Sequence, residues 1–272
     1  MPIAKLNRAV FRLSGEGVAA WLEGLITNSI AKDGLSFAAL LTPQGKIIAD
    51  FFISQEGETL YLETAAKFSA DLYKRLRLYK LRAPIDIEDI SSTHSVYAIW
   101  ATEDEGGEGA EGHADPRLPA LGYRLITSSP LATTGDYNAH RLSLGISDSE
   151  WDFETVSTFP ADANMDLLGG IDFKKGCFVG QEVVSRMKRM TTVKKRFRGV
   201  IVTGDSQAAV KAGDKITSAD RVIGEILYIH EAGESSRAGM AMIRLDRWAA
   251  ATQNPVASEA DIHIMGGPDG QS

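Results

Sequence analysis

The fold is decided by the stretch Leu167-Leu168-Gly169-Gly170-Ile171-Asp172-Phe173-Lys174-Lys175-Gly176-Cys177-Phe178-Val179-Gly180-Gln181-Glu182. Its glycines and its cysteine lie between an apolar segment and a helix expected to begin near Gly180. Gly176 and Gly180 allow positive φ or close approach of another group to the backbone. Lys174 and Lys175 precede the sulfur, and a helix N-terminus follows it. Both features favour a thiolate. Two readings of Cys177 stand side by side: an activated thiol, or a small buried apolar residue, the common fate of a lone cysteine.

Working outward toward the N-terminus, Val10 to Leu13 reads as a short strand. Ser14 reads as a helix N-cap, with Glu16 in the first turn. Val18, Trp21, Leu22, Leu25 and Ile26 then fall on one helix face. Phe37 to Leu41 and Lys46 to Ser54 read as strands joined by the turn Thr42-Pro43-Gln44-Gly45, where proline pre-sets φ at the second position. Glu58 to Glu63 predicts a further strand. Phe68, Leu72, Leu76 and Tyr79 give the stretch from Ala65 to Lys80 an apolar helical stripe, with Lys74, Arg75, Arg77 and Lys80 at its favourable C-terminal end. The alternation at Ile85 and Ile87, Leu121 to Thr127, and a helix over Gly135 to Leu144 follow. Strands and helices in this order indicate an α+β layer structure.

On the C-terminal side the pattern changes at about Thr191 to Lys195. Phe197 to Val202, Lys215 to Thr217, Val222 to His230, Ala238 to Leu245 and Asp261 to Met265 are short β-type runs separated by Gly, Asp and Ser, which predicts a small all-β barrel or sandwich. The expected organisation is therefore an N-terminal α+β unit over 1–90, a second over 91–193 and a β-barrel over 194–272. Thr102 to Ala114, acidic and glycine-rich, reads as a mobile surface loop, and the tail from Gly266 to Gly270 as frayed.

Composition narrows the function classes. Apolar residues are 44% and charged residues 24% of the 272, ordinary for a globular protein. A net charge of −7 disfavours generic nucleic-acid binding. No apolar run approaches the roughly 20 residues of a membrane span. The N-terminus lacks the apolar region of a secretory signal, and a single cysteine forms no intrachain disulfide, so a cytoplasmic location is expected. His94, His113, His140, His230 and His263 have no metal-ligand spacing. Arg186, Lys188, Arg189, Lys194, Lys195, Arg196 and Arg198 form a basic run that reads either as a solvated face or as a docking patch for a polyanionic ligand or an acidic partner.

Lys175-Gly176-Cys177-Phe178-Val179-Gly180-Gln181-Glu182 resembles the K-G-C-[FY]-x-G-Q-E motif of the YgfZ family, relatives of the glycine-cleavage T-protein. Leu41-Thr42-Pro43-Gln44-Gly45-Lys46 is similar to that family's L-T-P-Q-G-[KR] hairpin. Gly24-Leu25-Ile26-Thr27-Asn28 resembles the G-L-[LIV]-T-N helix end. Asp115-Pro116-Arg117 with Gly122-Tyr123-Arg124 resembles the central D-P-R…G-x-R. The resemblance covers roughly 8 to 245. It implies a T-protein-like fold, with two interlocked, ferredoxin-like α+β units and a small C-terminal β-barrel around a central folate channel.

It further implies a tetrahydrofolate-binding accessory protein of iron–sulfur cluster assembly or repair, with an iron–sulfur carrier or client as partner. Cys177 would be the active thiol and Asp50, Arg141, Asp162 and Asn164 the folate-binding set. A carboxylate suits the paired donors of the pterin and an arginine suits the glutamate tail. Asp162 reads equally as a loop or cap carboxylate. Two departures argue against aminomethyl transfer. Ser143, in Arg141-Leu142-Ser143-Leu144-Gly145, replaces the T-protein's acid, and Ala49 beside Asp50 replaces one of an acidic pair. A folate-dependent aminomethyltransferase remains the alternative, and a folate-binding module without an iron–sulfur role the third reading.

Overall fold

The computed structural model describes residues 1–101, 111–190, 193–231 and 237–268. Most of the acidic stretch from Thr102, Thr191 and Thr192 at the expected barrel boundary, and the end of the tail lie outside the described residues.

In chain order the N-terminal part contains β1 (Ile3–Leu6), β2 (Arg8–Ser14), α1 (Val18–Glu23), β3 (Leu35–Leu41), β4 (Ile47–Glu56), β5 (Thr59–Ala65), α2 (Ser69–Lys80) and β6 (Asp86–Asp89). Strands β2 to β6 form a five-stranded sheet in the order β3-β4-β5-β2-β6. Its inner strand β4 buries eight consecutive residues from Ile47, so its run Ile-Ile-Ala-Asp-Phe-Phe-Ile-Ser is apolar on both faces except for Asp50 and Ser54. Helix α2 covers the sheet with Leu72 and Leu76, both fully buried.

The second sheet joins β7 (Ser95–Ile99), β8 (His113–Ala114) and β9 (Tyr123–Thr127) in the order β1-β7-β9-β8. Its first member is β1, from the far N-terminus: Ile3 pairs with Ile99 and Leu6 with Val96. One strand of the stretch expected to form the first unit thus belongs to the second sheet, and the chain crosses between the sheets at Asn7, the single residue between β1 and β2. Helices α3 (Tyr137–Ser143) and α4 (Gln181–Met190) follow, with a long stretch of turns between them.

The third part holds β10 (Lys195–Thr203), β11 (Lys215–Ser218), β12 (Arg221–His230), β13 (Arg237–Arg244), a single-turn α5 (Leu245–Trp248), β14 (Val256–Ala257) and β15 (Ala260–Gly266). These strands close into a six-stranded barrel, β10-β13-β12-β11-β14-β15. Closure removes exposed sheet edges, and Val200, Val202, Ile216, Ile226, Ile243 and Ile262 fill the interior. Every β-run expected from the C-terminal sequence is a barrel strand.

The first helix departs from expectation. Ser14 ends β2 rather than capping α1, whose N-cap is Gly17 at φ 72° with no side-chain cap. Gly15 explains the shift: at φ +126°, a β-carbon there would lie 2.1 Å from the Pro84 carbonyl oxygen. The chain therefore passes β6 in a conformation that delays the helix to Val18. The side-chain cap belongs instead to α3, where Asp136 accepts from the Ala139 N–H at 3.0 Å.

Candidate functional site

Three segments far apart in sequence meet around the cysteine loop. Thr27 donates through Oγ1 to the Gly170 carbonyl at 2.7 Å and accepts from the Ala39 N–H at 2.8 Å. The Asn28 amide donates to the carbonyls of Phe37 and Gly169, at 2.8 and 2.7 Å. The end of the first helical segment is thus stitched to both β3 and the glycine pair. Asp172 then accepts from Ser29 Oγ at 2.8 Å and from the backbone N–H groups of Lys174 and Lys175. Those backbone donors, with Ser29, hold its carboxyl below the usual carboxylate range.

Lys175 fixes the loop from the other side. Its ammonium donates to the carbonyls of Glu23 at 2.6 Å, Ile26 at 2.9 Å and Asn28 at 2.9 Å, which matches the three donors of an ammonium group. The same cation lies 5.6 Å from the Phe178 ring centroid. Partial burial lowers its pKa, against the pull of Glu23 and Asp172. Lys175 therefore anchors the loop, and its charge is spent on carbonyls rather than on the sulfur as the sequence suggested.

Between these anchors, Gly176 and Cys177 are exposed, while Phe178 is buried. Exposure excludes the reading of Cys177 as a core residue. Gly180, at φ +82°, passes so close to the early hairpin that a β-carbon would meet the Thr42 carbonyl oxygen at 2.7 Å and Leu41 Cβ at 3.2 Å. Reciprocally, a β-carbon on Gly45 would meet Val183 at 3.0 Å. Helix α4 starts at this contact, with Gln181 Nε2 reaching the Gly176 carbonyl at 3.3 Å and Glu182, exposed, in its first turn. The Leu-Thr-Pro-Gln-Gly turn and the cysteine motif are therefore one packed unit.

A second constellation lies buried between the sheets. Arg8 pairs with Asp148 at 2.6 Å, Arg117 with Asp115 at 2.8 Å, Arg124 with Glu63, and Arg141 with Asp152 at 2.7 Å. Phe52 supplies a π-face to both Arg117 and Arg124, at 4.8 and 4.0 Å. The Asp-Pro-Arg and Gly-Tyr-Arg segments are thus the walls of an internal ion-pair network. Burial would raise the Asp148 carboxyl, but Arg8, Arg141 and Arg117 outweigh it and hold that group well below the carboxylate range. Asp50, on β4 at the edge of this network, goes the other way. Burial raises its pKa, opposed by Arg8 and by the hydroxyl of Ser149 beside it.

The four residues expected to bind folate have different fates. Arg141 is fully buried; it donates to Asp152 through both Nη atoms, to the Ile146 carbonyl and to Asn138 Oδ1. Asn164, at φ 61°, donates to the Phe197 carbonyl at 2.9 Å and accepts from Arg196 at 3.2 Å. Both side chains are consumed by the protein, Arg141 within the network and Asn164 in docking the 159–170 turns onto β10. Asp162 is 3% exposed and paired with Lys195 at 3.0 Å, with burial raising its pKa against that lysine. Of the two carboxylates, Asp50 alone has no lysine or arginine at ion-pair distance among the described residues, with Ser149 beside it. The roles of Arg141 and Asn164 were hidden because their partners Asp152 and Phe197 lie 11 and 33 positions away, outside any local pattern. Among the described residues no group of three or more His, Cys, Asp or Glu is arranged to hold a metal ion, and no helix is long and apolar enough to cross a membrane.

No family model matches the chain. Among solved structures, the glycine cleavage system aminomethyltransferase T from Bartonella henselae superposes with a TM-score of 0.73 over 96% of this chain and 84% of that one, at 11% identity. The chain has the aminomethyltransferase fold. Its homologues are iron–sulfur cluster assembly factors of the IBA57 kind. The mitochondrial IBA57 homologue of Coccidioides immitis is 33% identical over 230 residues, covering 70% of this chain and 54% of that protein. The homologue of Neurospora crassa is 30% identical over 224 residues, with 70% and 51% covered, and the human mitochondrial factor 26% over 229 residues, with 70% and 63%. The chain spans about half the length of the fungal relatives. All three are mitochondrial proteins, which overturns the cytoplasmic location expected from the N-terminus and cysteine count.

Proposed function

We propose that the chain is an accessory factor in iron–sulfur cluster assembly or repair, a YgfZ-type protein whose contact with its cargo is the Cys177 thiol. The observation that carries this reading is an exposed cysteine on a loop held at both ends, by Lys175 on three carbonyls and by Gly180 against Thr42. A single thiol cannot hold a cluster, which ordinarily takes four protein ligands. The remaining ligands come from an iron–sulfur carrier or client, and an exposed, pre-positioned sulfur is what such a shared contact requires. Lys174 just before the motif and Arg186, Lys188 and Arg189 after it are all exposed and suit an acidic partner surface.

Tetrahydrofolate is the cofactor of this reading, and the residues fit it in part. Asp50 offers a buried carboxylate, the acceptor a pterin donor edge requires, and Asp162 with Lys195 offers a second carboxylate beside a cation. Arg141 and Asn164 are assigned to the protein's own contacts. Folate supplies one-carbon chemistry when bound. Ser143, whose hydroxyl donates to the His140 carbonyl at 2.7 Å, and the buried Ala49 stand where aminomethyl transfer would need acids, so folate is read here as a bound ligand rather than a turned-over substrate.

The test is a deletion strain assayed for several iron–sulfur enzymes and complemented with wild type and Cys177→Ala. Restoration by wild type and failure of the variant, at equal protein level, is the expected result. Full rescue by Cys177→Ala refutes the thiol role. Calorimetric titration with tetrahydrofolate tests the cofactor separately, Asp50→Asn being expected to weaken binding.

A further inference from the structure

Strand β1 is an edge of the second sheet, with β7 as its one strand neighbour. Just before it, the Pro2 carbonyl accepts from the Trp100 N–H at 3.2 Å, on the paired side. Ile3 turns its main-chain groups to the open side. Its N–H donates to Thr134 Oγ1 at 3.1 Å, and its carbonyl accepts from the N–H groups of Thr134 and Gly135 at 2.8 and 3.1 Å. Main-chain groups alternate sides along an antiparallel strand, so the N–H and C=O of Lys5 also face the open edge. Beside that edge runs a cleft of about 310 Å³, between β1 and the start of α3, lined by Lys5, Leu6, Asn7, Asp136, Asn138 and Trp151. Trp151 is 45% exposed and gives the cleft an apolar wall.

We propose that this edge takes up an extended segment of a partner protein, with an acidic residue of that segment directly opposite Lys5. An antiparallel strand laid in the cleft exchanges both main-chain bonds with Lys5 through one residue. The side chain of that residue stands on the same face as the exposed Lys5 ammonium, where an opposite charge is favourable and a like charge is not. The other charged groups around the cleft are already matched. Asp136 accepts from the Ala139 N–H and holds His230 at 2.7 Å, Glu150 accepts from Asn7 Nδ2 at 2.7 Å, and Arg8 is paired with Asp148. Lys5 is thus the charge at this edge left to a partner. A lysine on a short edge strand also guards against indiscriminate pairing. Two-fold pairing of two copies through this residue would set Lys5 against Lys5, which disfavours a second copy as the occupant. The adjoining outward positions are taken, Ile3 by residues 134 and 135, and the Asn7 carbonyl by the Ala66 N–H. The open ladder is therefore one residue long, and contact with Trp151 supplements it. None of Asp50, Asp162 and Cys177 lines the cleft, so its failure leaves the assembly reading untouched.

The probes are three capped pentapeptides titrated into the full chain, with backbone amide shifts followed by NMR: acetyl-Thr-Val-Glu-Val-Thr-amide, the same peptide with Lys in place of Glu, and the same peptide N-methylated at Glu. The Glu peptide is expected to give saturable shifts centred on residues 4–6, 134–138 and 151. The N-methylated peptide keeps the charge but lacks the main-chain donor, and should bind roughly ten-fold more weakly, in line with one lost hydrogen bond. The Lys peptide should also bind more weakly. Lys5→Ala keeps the main-chain groups and should lose the preference for Glu over Lys. Lys5→Pro removes the N–H, a change tolerated on an edge strand where that group points away from the sheet, and should lose binding of all three. If Lys5→Pro does not fold, the peptide series on the wild-type chain decides alone. Absence of saturable shifts at millimolar Glu peptide overturns the proposal. Equal binding of the N-methylated or the Lys peptide, shifts centred elsewhere, and self-association of the chain through residues 4–6 each overturn it as well.

Discussion

Gly180 approaches Thr42 so closely that a β-carbon at position 180 would stand 2.7 Å from the Thr42 carbonyl oxygen. This contact locks the cysteine motif to the hairpin 138 residues earlier (180 − 42). Gly180→Ala therefore meets two penalties: a left-handed conformation at φ +82°, which costs an L-residue roughly 1–2 kcal/mol, and displacement of backbone, at roughly 1–3 kcal/mol. We expect a loss above about 2 kcal/mol in denaturant unfolding. Gly176, four positions earlier, has open space around it, and Gly176→Ala should stay within about 0.5 kcal/mol of wild type. Equal effects at the two glycines would mean that the packing contact does not form.

Lys175→Met keeps much of the side chain's length and apolar stem while removing the three bonds to Glu23, Ile26 and Asn28 carbonyls. Hydrogen bonds to a charged group contribute about 1.5–3 kcal/mol each and are not additive, so a net loss of about 2–4 kcal/mol is expected. Hydrogen exchange should rise in both tied segments, 23–29 and 172–178, because opening one end releases the other. Faster exchange confined to the cysteine loop would show that the clamp does not couple them.

The hairpin at Thr42 to Gly45 and the barrel strands were legible because their signals are local: turn residues at fixed offsets, and short apolar runs between Gly and Asp. The motif glycines were legible for the same reason, but what Gly180 touches was not. Ser14 looked like a cap because its own neighbours suit one; the closeness of Gly15 to Pro84, 69 positions on (84 − 15), decides otherwise. Lys175 reads as a cation beside a thiol in sequence and becomes a clamp only when residues about 150 positions away arrive. The Asp-Pro-Arg and Gly-Tyr-Arg segments could be recognised, yet their role as an ion-pair network depends on Glu63 and Phe52 from another sheet.

Asp50 makes a pH prediction. Its folded-state pKa is raised, by burial and against Arg8, above an unfolded value of about 3.9. The folded state then binds its proton more tightly than the unfolded chain does. Its contribution to stability is therefore present below the unfolded value and falls as pH rises through the raised value. Asp50→Asn removes that dependence. The variant should be more stable than wild type at pH 7, with the advantage shrinking as pH falls toward 4, measured as paired urea midpoints across that range. An advantage independent of pH would place the effect in packing. A loss of stability at pH 7 would mean that the attraction to Arg8 outweighs burial.

Arg141 separates a ligand contact from an internal tie. As a receptor for an anionic folate tail, it would be dispensable to the unliganded fold. In the structure it is fully buried and holds Asp152 through both Nη atoms, at 2.7 and 3.3 Å. Arg141→Met should therefore destabilise the unliganded protein by about 3–5 kcal/mol, because it leaves Asp152 as an uncompensated buried charge. Removing the stranded carboxylate as well, in Arg141→Met with Asp152→Leu, should recover part of that loss. Asp152 also accepts from the Asp148 N–H at 2.7 Å, so recovery stops short by the cost of that orphaned donor, about 1–3 kcal/mol. The double-mutant cycle thus has a sign as well as a size: the pair together should cost less than the sum of the two single changes. A small effect of Arg141→Met on stability, coupled with a large loss of tetrahydrofolate affinity, would return Arg141 to the ligand.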